Sequence, residues 1–273
     1  MTDTDARGIE PSADDERGDF YIVGIGASAG GYEAIERFFR QMPPDSGMAF
    51  VVVQHLSPDF KSLMVELLSK HTAMELFRVE DGIAVRPNCV YLIPPRKTMT
   101  LFQGRLYLSD IEHEHGLNLP INLFLRSLAE DKMEKAIAII FSGTGSDGTL
   151  GIREIKGCGG MVIAQDPTSA KFDGMPRSAI GTGLVDAVLS PEDMPDTLLR
   201  FLTQLSVSQH APSGIMRGQK FDRLSRLLAI LKQKKQIDFT QYKTSTILRR
   251  VEKRMGINQI YTIDEYISFF QQT

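Results

Sequence analysis

The chain has 273 residues, of which 42% are hydrophobic, 24% charged and 8% aromatic. That profile excludes a wholly disordered chain, a collagen-like repeat and a small disulfide scaffold, and it leaves room for one large α/β domain or a domain plus part of another. The formal net charge of −3 excludes an overall basic character, so the whole-chain balance gives nucleic-acid binding no support.

Charge is unevenly spread. Residues 1–19 hold seven acids against Arg7 and Arg17, with few apolar residues between them. They read as a disordered acidic leader that cannot bury enough surface to fold. No basic region followed by an apolar one marks a signal peptide, and no run approaches the roughly 20 apolar residues that span a bilayer. Two scattered cysteines, Cys89 and Cys158, point to reduced thiols, and the expected location is cytoplasmic.

Short apolar runs then alternate with amphipathic stretches. Tyr21–Ile25 is predicted as a buried strand opening on glycines, followed by a helix over Ala29–Gln41 that stops at Pro43-Pro44. Ala49–Gln54 reads as a second strand and Phe60–Lys70 as a second helix. Val90–Ile93 is a short strand, and Leu101–Phe102 with Leu106–Leu108 forms a hairpin around Gln103-Gly104. A helix over Asn118–Met133 leads into the apolar strand Ala136–Phe141. Met161–Ala164 and Leu184–Val188 complete the strands. This rhythm predicts a three-layer α/β fold, a mostly parallel sheet with helices on both faces, followed by a small all-α segment. Chemistry in such folds sits at the carboxyl ends of the strands.

Three strand ends carry reactive groups. The first is Gly24-Ile25-Gly26-Ala27-Ser28-Ala29-Gly30-Gly31, which admits three readings. Gly-x-Gly-x-x-Ala is a dinucleotide-type loop, whose glycines would admit a pyrophosphate at the helix N-terminus. Gly26-x-Ser28-x-Gly30 is a nucleophile elbow, whose small residues allow a tight turn that projects the hydroxyl. The third is an ordinary N-cap by Ser28. The second strand ends in Gln54-His55, where a dinucleotide site wants an acid to bind a ribose hydroxyl; a histidine suits a general base instead. The third strand runs into Ser142-Gly143-Thr144-Gly145-Ser146-Asp147-Gly148. Asp147 could orient His55, or it could cap a helix starting at Thr149 while the glycines form a phosphate nest. Ser28, His55 and Asp147 together form a candidate triad. Their chain order departs from that of α/β-hydrolases, so the triad would be a convergent one on a distinct fold. The N–H of Ala29, just after the serine at a helix start, is the first candidate oxyanion donor.

Gly26-Ala27-Ser28-Ala29-Gly30-Gly31, Gln54-His55 and Gly143-Thr144-Gly145-Ser146-Asp147-Gly148 resemble the signature of the chemotaxis receptor methylesterases, the CheB-type catalytic domain. Further similarities follow in order at Glu80-Asp81-Gly82, Val90–Pro95, Ala164-Gln165-Asp166 and Gly174-Met175-Pro176. The resemblance covers about residues 20–205. It implies serine-type hydrolysis of glutamate γ-methyl esters on chemoreceptor cytoplasmic helices, with glutamine deamidation as a companion activity and no cofactor. It assigns Ser28, His55 and Asp147 as the triad, the Thr144 N–H as a second oxyanion donor, and Met175 as a pocket wall. Family relatives often carry aspartate where Asn122 stands, and many carry an N-terminal receiver domain that the leader is too short to be. His113 and His115 lack further ligands at suitable spacing, so no metal is expected.

A linker is expected at 206–216, rich in Ser, Pro and Gly. From Ile215 onward twelve Lys or Arg face five acids. Phe221, Leu224, Leu227, Leu228 and Leu231 repeat at helical spacing. Tyr242-Lys243-Thr244-Ser245-Thr246-Ile247-Leu248-Arg249-Arg250-Val251 resembles the N-terminal helical domain of the CheR-type methyltransferases, so 217–273 is expected to be part of such a domain. The resemblance implies that Arg249, Arg250, Lys253 and Arg254 face an acidic receptor helix; a solvated basic face or a nucleic-acid patch are the competing readings. S-adenosylmethionine would belong to a part of the methyltransferase beyond residue 273. The expected partner is a methyl-accepting chemotaxis receptor, with neither nucleic acid nor membrane insertion.

Overall fold

The computed structural model describes residues 20–54, 64–111, 119–209, 223–231, 244–257, 260 and 262–272. The chain divides into two compact units between Glu192 and Asp193.

The first unit is built on β1 (Ile22–Ala27), β2 (Ala49–Gln54), β3 (Glu75–Arg78), β4 (Ile83–Ala84), β5 (Cys89–Leu92), β6 (Lys97–Phe102), β7 (Arg105–Asp110), β8 (Ala136–Ile140), β9 (Met161–Gln165) and β10 (Ala187–Leu189). Seven of these form one sheet in the order β10-β9-β8-β1-β2-β5-β3, with every pairing parallel. Its helices are α1 (Gly31–Gln41), α2 (Met64–Leu68), α3 (Pro120–Lys132), α4 (Thr149–Gly157) and α5 (Gly174–Gly181). The expected mostly parallel sheet between helical layers is what forms.

The central strands are buried along their whole length because both sheet faces are covered. Ile22, Val51, Tyr91, Ala138 and Ile140 pack with Phe124, Leu125 and Leu128 of α3 and with Ile152 and Ile155 of α4. On α1, Phe38 meets Phe50 and Phe141 edge-on, with ring centroids 5.8 and 5.9 Å apart. Gly24 and Gly26 let α3 lie close on β1. A Cβ at Gly26 would stand 2.5 Å from Ile121 Cγ2, and one at Gly24 would stand 2.8 Å from Leu125 Cδ2.

The predicted hairpin is β6–β7, longer than expected at both ends. Its two turn residues Gln103 and Gly104 both have positive φ, the geometry that matches the twist of a two-residue hairpin. It joins β4 in a separate antiparallel sheet. β3, β4 and α5 were not anticipated. β3 is four residues of partly exposed sheet edge, and β4 is a two-residue strand too short for a periodicity to register.

The second unit holds α6 (Met194–Gln209), α7 (223–231), α8 (Thr244–Ile257) and α9 (Ile263–Gln272). Its core is Leu224 and Leu227 of α7, Ile247, Val251 and Met255 of α8, and Ile263, Tyr266 and Ile267 of α9. The four-residue spacing on α8 places its three apolar residues on one face. α9 opens on a reciprocal capping box. Thr262 N–H donates to Glu265 Oε2 at 3.1 Å, and Glu265 N–H donates to Thr262 Oγ1 at 3.2 Å. Residues 206–209 of the expected linker belong to the end of α6. Among the described residues no helix is long and apolar enough to cross a membrane.

Candidate functional site

Parallel pairing brings the carboxyl ends of β1, β2 and β8 to one edge of the sheet. Ala27 pairs with Gln54 across β1 and β2, and Gly26 pairs with Ile140 across β1 and β8. The β1–β8 ladder runs on past both strands. Phe141 N–H donates to the Gly26 carbonyl at 2.9 Å, and Ser28 N–H donates to the Ser142 carbonyl at 3.0 Å. The turn carrying Ser28 is therefore tied to the loop that leads to Asp147.

Ser28 sits between β1 and α1. The N-cap of α1 is Gly30, in the left-handed region at φ 69°, and no side chain caps the helix. The plain capping role for Ser28 is thus ruled out, and among the described residues its hydroxyl makes no hydrogen bond. The Ser28 carbonyl accepts from Gly31 N–H at 2.9 Å and from Gln54 Nε2 at 3.4 Å. Gln54 Oε1, buried, has no hydrogen-bond partner among the described residues.

Among the described residues, two peptide N–H groups beside Ser28, those of Ala29 and Thr144, meet no acceptor. Ala29 is half-buried, and Thr144 is exposed on the loop after β8. Gly143 brings the two stretches together. A Cβ built on it would lie 2.9 Å from Ser28 Cβ and would strike Met175 Sδ. Met175, buried at the start of α5, donates its N–H to the Gly143 carbonyl at 2.9 Å. Ser28, Ala29, Thr144 and Met175 are therefore brought together.

Asp147 is 5% exposed. It does not cap the helix from Thr149, whose N-cap is Gly148 with no side-chain bond. Its carboxylate instead accepts from the first N–H groups of α3, Ile121 at 3.1 Å and Asn122 at 3.0 Å, and from Gly148 N–H at 2.8 Å. Asn122 Oδ1 accepts from Gly151 N–H at 2.8 Å, so a neutral side chain joins α3 to α4 here.

His55, His113 and His115 lie outside the described residues. Arg250 and Arg254 are exposed on α8 in the second unit; Arg249 and Lys253 share that helix. Among the described residues no group of three or more potential metal ligands occurs. Cys89 and Cys158 are free thiols.

Sequence reasoning gave no role to Ser142 and Gln165, both buried at strand ends. Ser142 N–H donates to Gln165 Oε1 at 2.8 Å, and Gln165 Nε2 donates to Ser169 O and Oγ at 3.0 and 3.2 Å. The available signal was a polar residue directly following an all-apolar strand, which must find partners when buried. In the next turn, the Thr168 N–H and hydroxyl hold the Asp166 carboxyl below the ordinary carboxylate range.

The dinucleotide reading loses its basis, because Gly24 and Gly26 lie inside β1 and serve the approach of α3, not a phosphate. What remains is a parallel α/β protein whose strand-to-helix turn presents a serine beside two peptide N–H groups that meet no acceptor among the described residues. Residues 23–198 match the family model described as CheB methylesterase, which is more than half of the chain. The chain belongs to that family. Residues 222–272 match the model described as CheR methyltransferase, all-alpha domain.

Among solved structures, the chain is similar to the CheB methylesterase catalytic domain of Thermotoga maritima, at 31% identity and a TM-score of 0.61, covering 66% of this chain and 97% of that one. It is 32% identical over 197 residues to a protein-glutamate methylesterase/protein-glutamine glutaminase of Rhizobium meliloti, covering 72% of this chain and 54% of that protein. It is 38% identical over 226 residues to an uncharacterized 104.1 kDa protein of Rhodobacter capsulatus, covering 75% of this chain and 23% of the relative. The chain thus spans about half the length of the Rhizobium enzyme and about a quarter of the Rhodobacter protein.

Proposed function

We propose that this chain is a serine-type protein-glutamate methylesterase. The observation that carries the reading is the pair of N–H groups, Ala29 and Thr144, that meet no acceptor among the described residues, beside a serine whose hydroxyl caps no helix. Such donors beside a nucleophile stabilise an oxyanion.

Ser28 Oγ attacks the ester carbonyl of a glutamate γ-methyl ester while His55 takes its proton. The oxyanion of the tetrahedral intermediate receives the Ala29 and Thr144 N–H groups. The intermediate collapses, His55 returns the proton to the departing methanol, and water hydrolyses the acyl-enzyme by the same steps. Asp147 orients His55, and Met175 walls the pocket. The reaction uses side chains and water, with no cofactor. The same machinery would release ammonia from a glutamine side chain.

The hydrolase occupies 20–205, and 217–273 is a methyltransferase-type helical domain. The substrate is a cytoplasmic chemoreceptor helix. Arg249, Arg250, Lys253 and Arg254 dock it through its acidic side chains, an attraction that salt would screen. The test is methanol release from a methylated receptor fragment by the full chain. Ser28→Ala is expected to abolish it, and persistence at the unsubstituted rate overturns the proposal. Arg249→Gln with Arg250→Gln is expected to weaken receptor binding at low salt; unchanged binding removes the docking role.

A further inference from the structure

We infer that Ser142 is a positioning residue that holds both oxyanion donors in place through its hydroxyl; the inference rests on the esterase reading above. Ser142 is fully buried, and its hydroxyl sits where three segments of chain meet. It accepts the Phe172 N–H at 3.0 Å and lies 2.9 Å from the Ala29 carbonyl and 3.2 Å from the Phe172 carbonyl. A hydroxyl has one proton to give, and the shorter contact directs it to Ala29.

The Ala29 bond bears on the first donor. In a trans peptide the C=O and the following N–H point in opposite directions. The Ser28 carbonyl is held by Gly31 N–H and Gln54 Nε2, so the Ala29 N–H is turned away from them. The next peptide, which begins at the Ala29 carbonyl, is held by Ser142 Oγ. With both flanking peptides fastened, Ala29 has no freedom to rotate its N–H. Gly30 makes the arrangement possible, because a Cβ there would stand 2.9 Å from Ser142 Oγ.

The second donor is reached through Phe172. Its carbonyl accepts the Gly143 N–H at 2.9 Å, and the Gly143 carbonyl accepts the Met175 N–H at 2.9 Å. The peptide that carries the Thr144 N–H begins at that Gly143 carbonyl, so the 172–175 segment sets its direction. Ser142 fastens this segment by receiving the Phe172 N–H. The backbone of Ser142 is itself fixed, its carbonyl by Ser28 N–H and its N–H by Gln165 Oε1 at 2.8 Å. One atom that both donates and accepts therefore joins the nucleophile turn to the segment behind Thr144. Alanine can do neither, and cysteine only weakly.

The test compares Ser142→Ala, Ser142→Cys and Ser142→Thr in the full chain. Two assays run in parallel: methanol release from a peptide bearing a glutamate γ-methyl ester, and labelling of Ser28 by a fluorophosphonate read by mass spectrometry. Circular dichroism establishes that each variant is folded. Ser142→Ala and Ser142→Cys are expected to lose roughly 10- to 100-fold in kcat with KM within about 3-fold, the signature of donors displaced from the transition state while the ground-state pocket persists. Ser142→Thr, which keeps the hydroxyl, is expected to recover most of the loss. If Ser142→Ala does not fold, the comparison rests on Ser142→Cys against Ser142→Thr. A folded Ser142→Cys or Ser142→Ala with unaltered kcat overturns the inference, as does a loss confined to KM. An unsubstituted chain that neither labels nor releases methanol overturns the esterase reading, and this inference with it.

Discussion

The carboxylate of Asp147 accepts the backbone N–H of Ile121 at 3.1 Å, so the acid proposed for the triad is also the cap of α3. It meets Asn122 N–H at 3.0 Å with its other oxygen. Both donors belong to the first turn of a helix, where N–H groups lack intrahelical partners and the helix dipole favours an anion. One side chain thus couples the site to the helix that packs on β1.

Removing that carboxylate therefore acts on stability as well as on chemistry. Asp147→Ala leaves three N–H groups without their acceptor in a nearly buried place, and is expected to lower unfolding free energy by about 2–4 kcal/mol. Ser28→Ala is expected to abolish activity while changing stability by less than about 0.5 kcal/mol, because among the described residues the hydroxyl makes no hydrogen bond. Urea midpoints of the two variants distinguish these roles. An Asp147→Ala protein as stable as the parent would show that the capping contact is dispensable.

Gly26 and Gly181 separate close approach from conformational freedom. Gly26→Ala drives a methyl to within 2.5 Å of Ile121 Cγ2 and is expected to destabilise by about 1–3 kcal/mol. A Cβ at Gly181, at the end of α5, meets nothing within 4 Å. Gly181→Ala is expected to be neutral or stabilising by up to about 1 kcal/mol. Thermal unfolding of both proteins checks the contrast; equal effects would refute the packing account.

Tyr91 supplies a pH-dependent effect. Its hydroxyl accepts the Arg86 N–H at 2.8 Å and donates to the Ala84 carbonyl at 3.2 Å. Tyr91→Phe is expected to cost about 1–3 kcal/mol, since both backbone groups lose their partner. Burial pushes the phenol above its ordinary value of 10.0. A raised folded pKa means that the folded state binds the proton more tightly. The stability this contributes is complete below about pH 10 and is lost as pH rises through the folded pKa. Denaturant titrations above that pH should show a shallower decline in Tyr91→Phe than in the parent, and parallel slopes would refute the assignment.

The two thiols are expected to react slowly. Burial raises the pKa of Cys89 and of Cys158, and Glu154, Glu130 and Glu134 raise Cys158 further. The thiolate is the reactive form, so both are depleted of it at pH 8. A thiol-disulfide reagent should modify both faster in denaturant than in the folded protein. Rapid labelling of either in the folded state would contradict this.

Much of the fold was legible because its signals are local. Ala49–Gln54 is an apolar, largely β-branched run, and the strand has the predicted bounds. Gln103-Gly104 carries its hairpin turn in two adjacent residues. The Thr262-x-x-Glu265 box is equally local. β3 and β4 are held by neighbours distant in sequence, and their few residues carry little pattern of their own. At the site, Ser28 was legible as an elbow because strand, small residues and helix are contiguous.

The sequence by itself determined the alternation of strands and helices, the serine turn and the family signature, since each is written in adjacent residues and their covalent order. Only the tertiary structure decided which partners the long-range groups take. Asp147 could cap its own helix, yet it binds α3, because the first turn of α3 lies at the carboxyl end of β8. Gly24 and Gly26 could cradle a phosphate, yet they lie inside β1 beneath α3. Ser142 is one more small residue in a glycine-rich run until burial requires its hydroxyl to find partners, and those partners come from segments 113 and 30 residues away. A residue carries its hydrogen-bonding capacity wherever it stands, but which group meets it in the interior is set by packing of the whole fold.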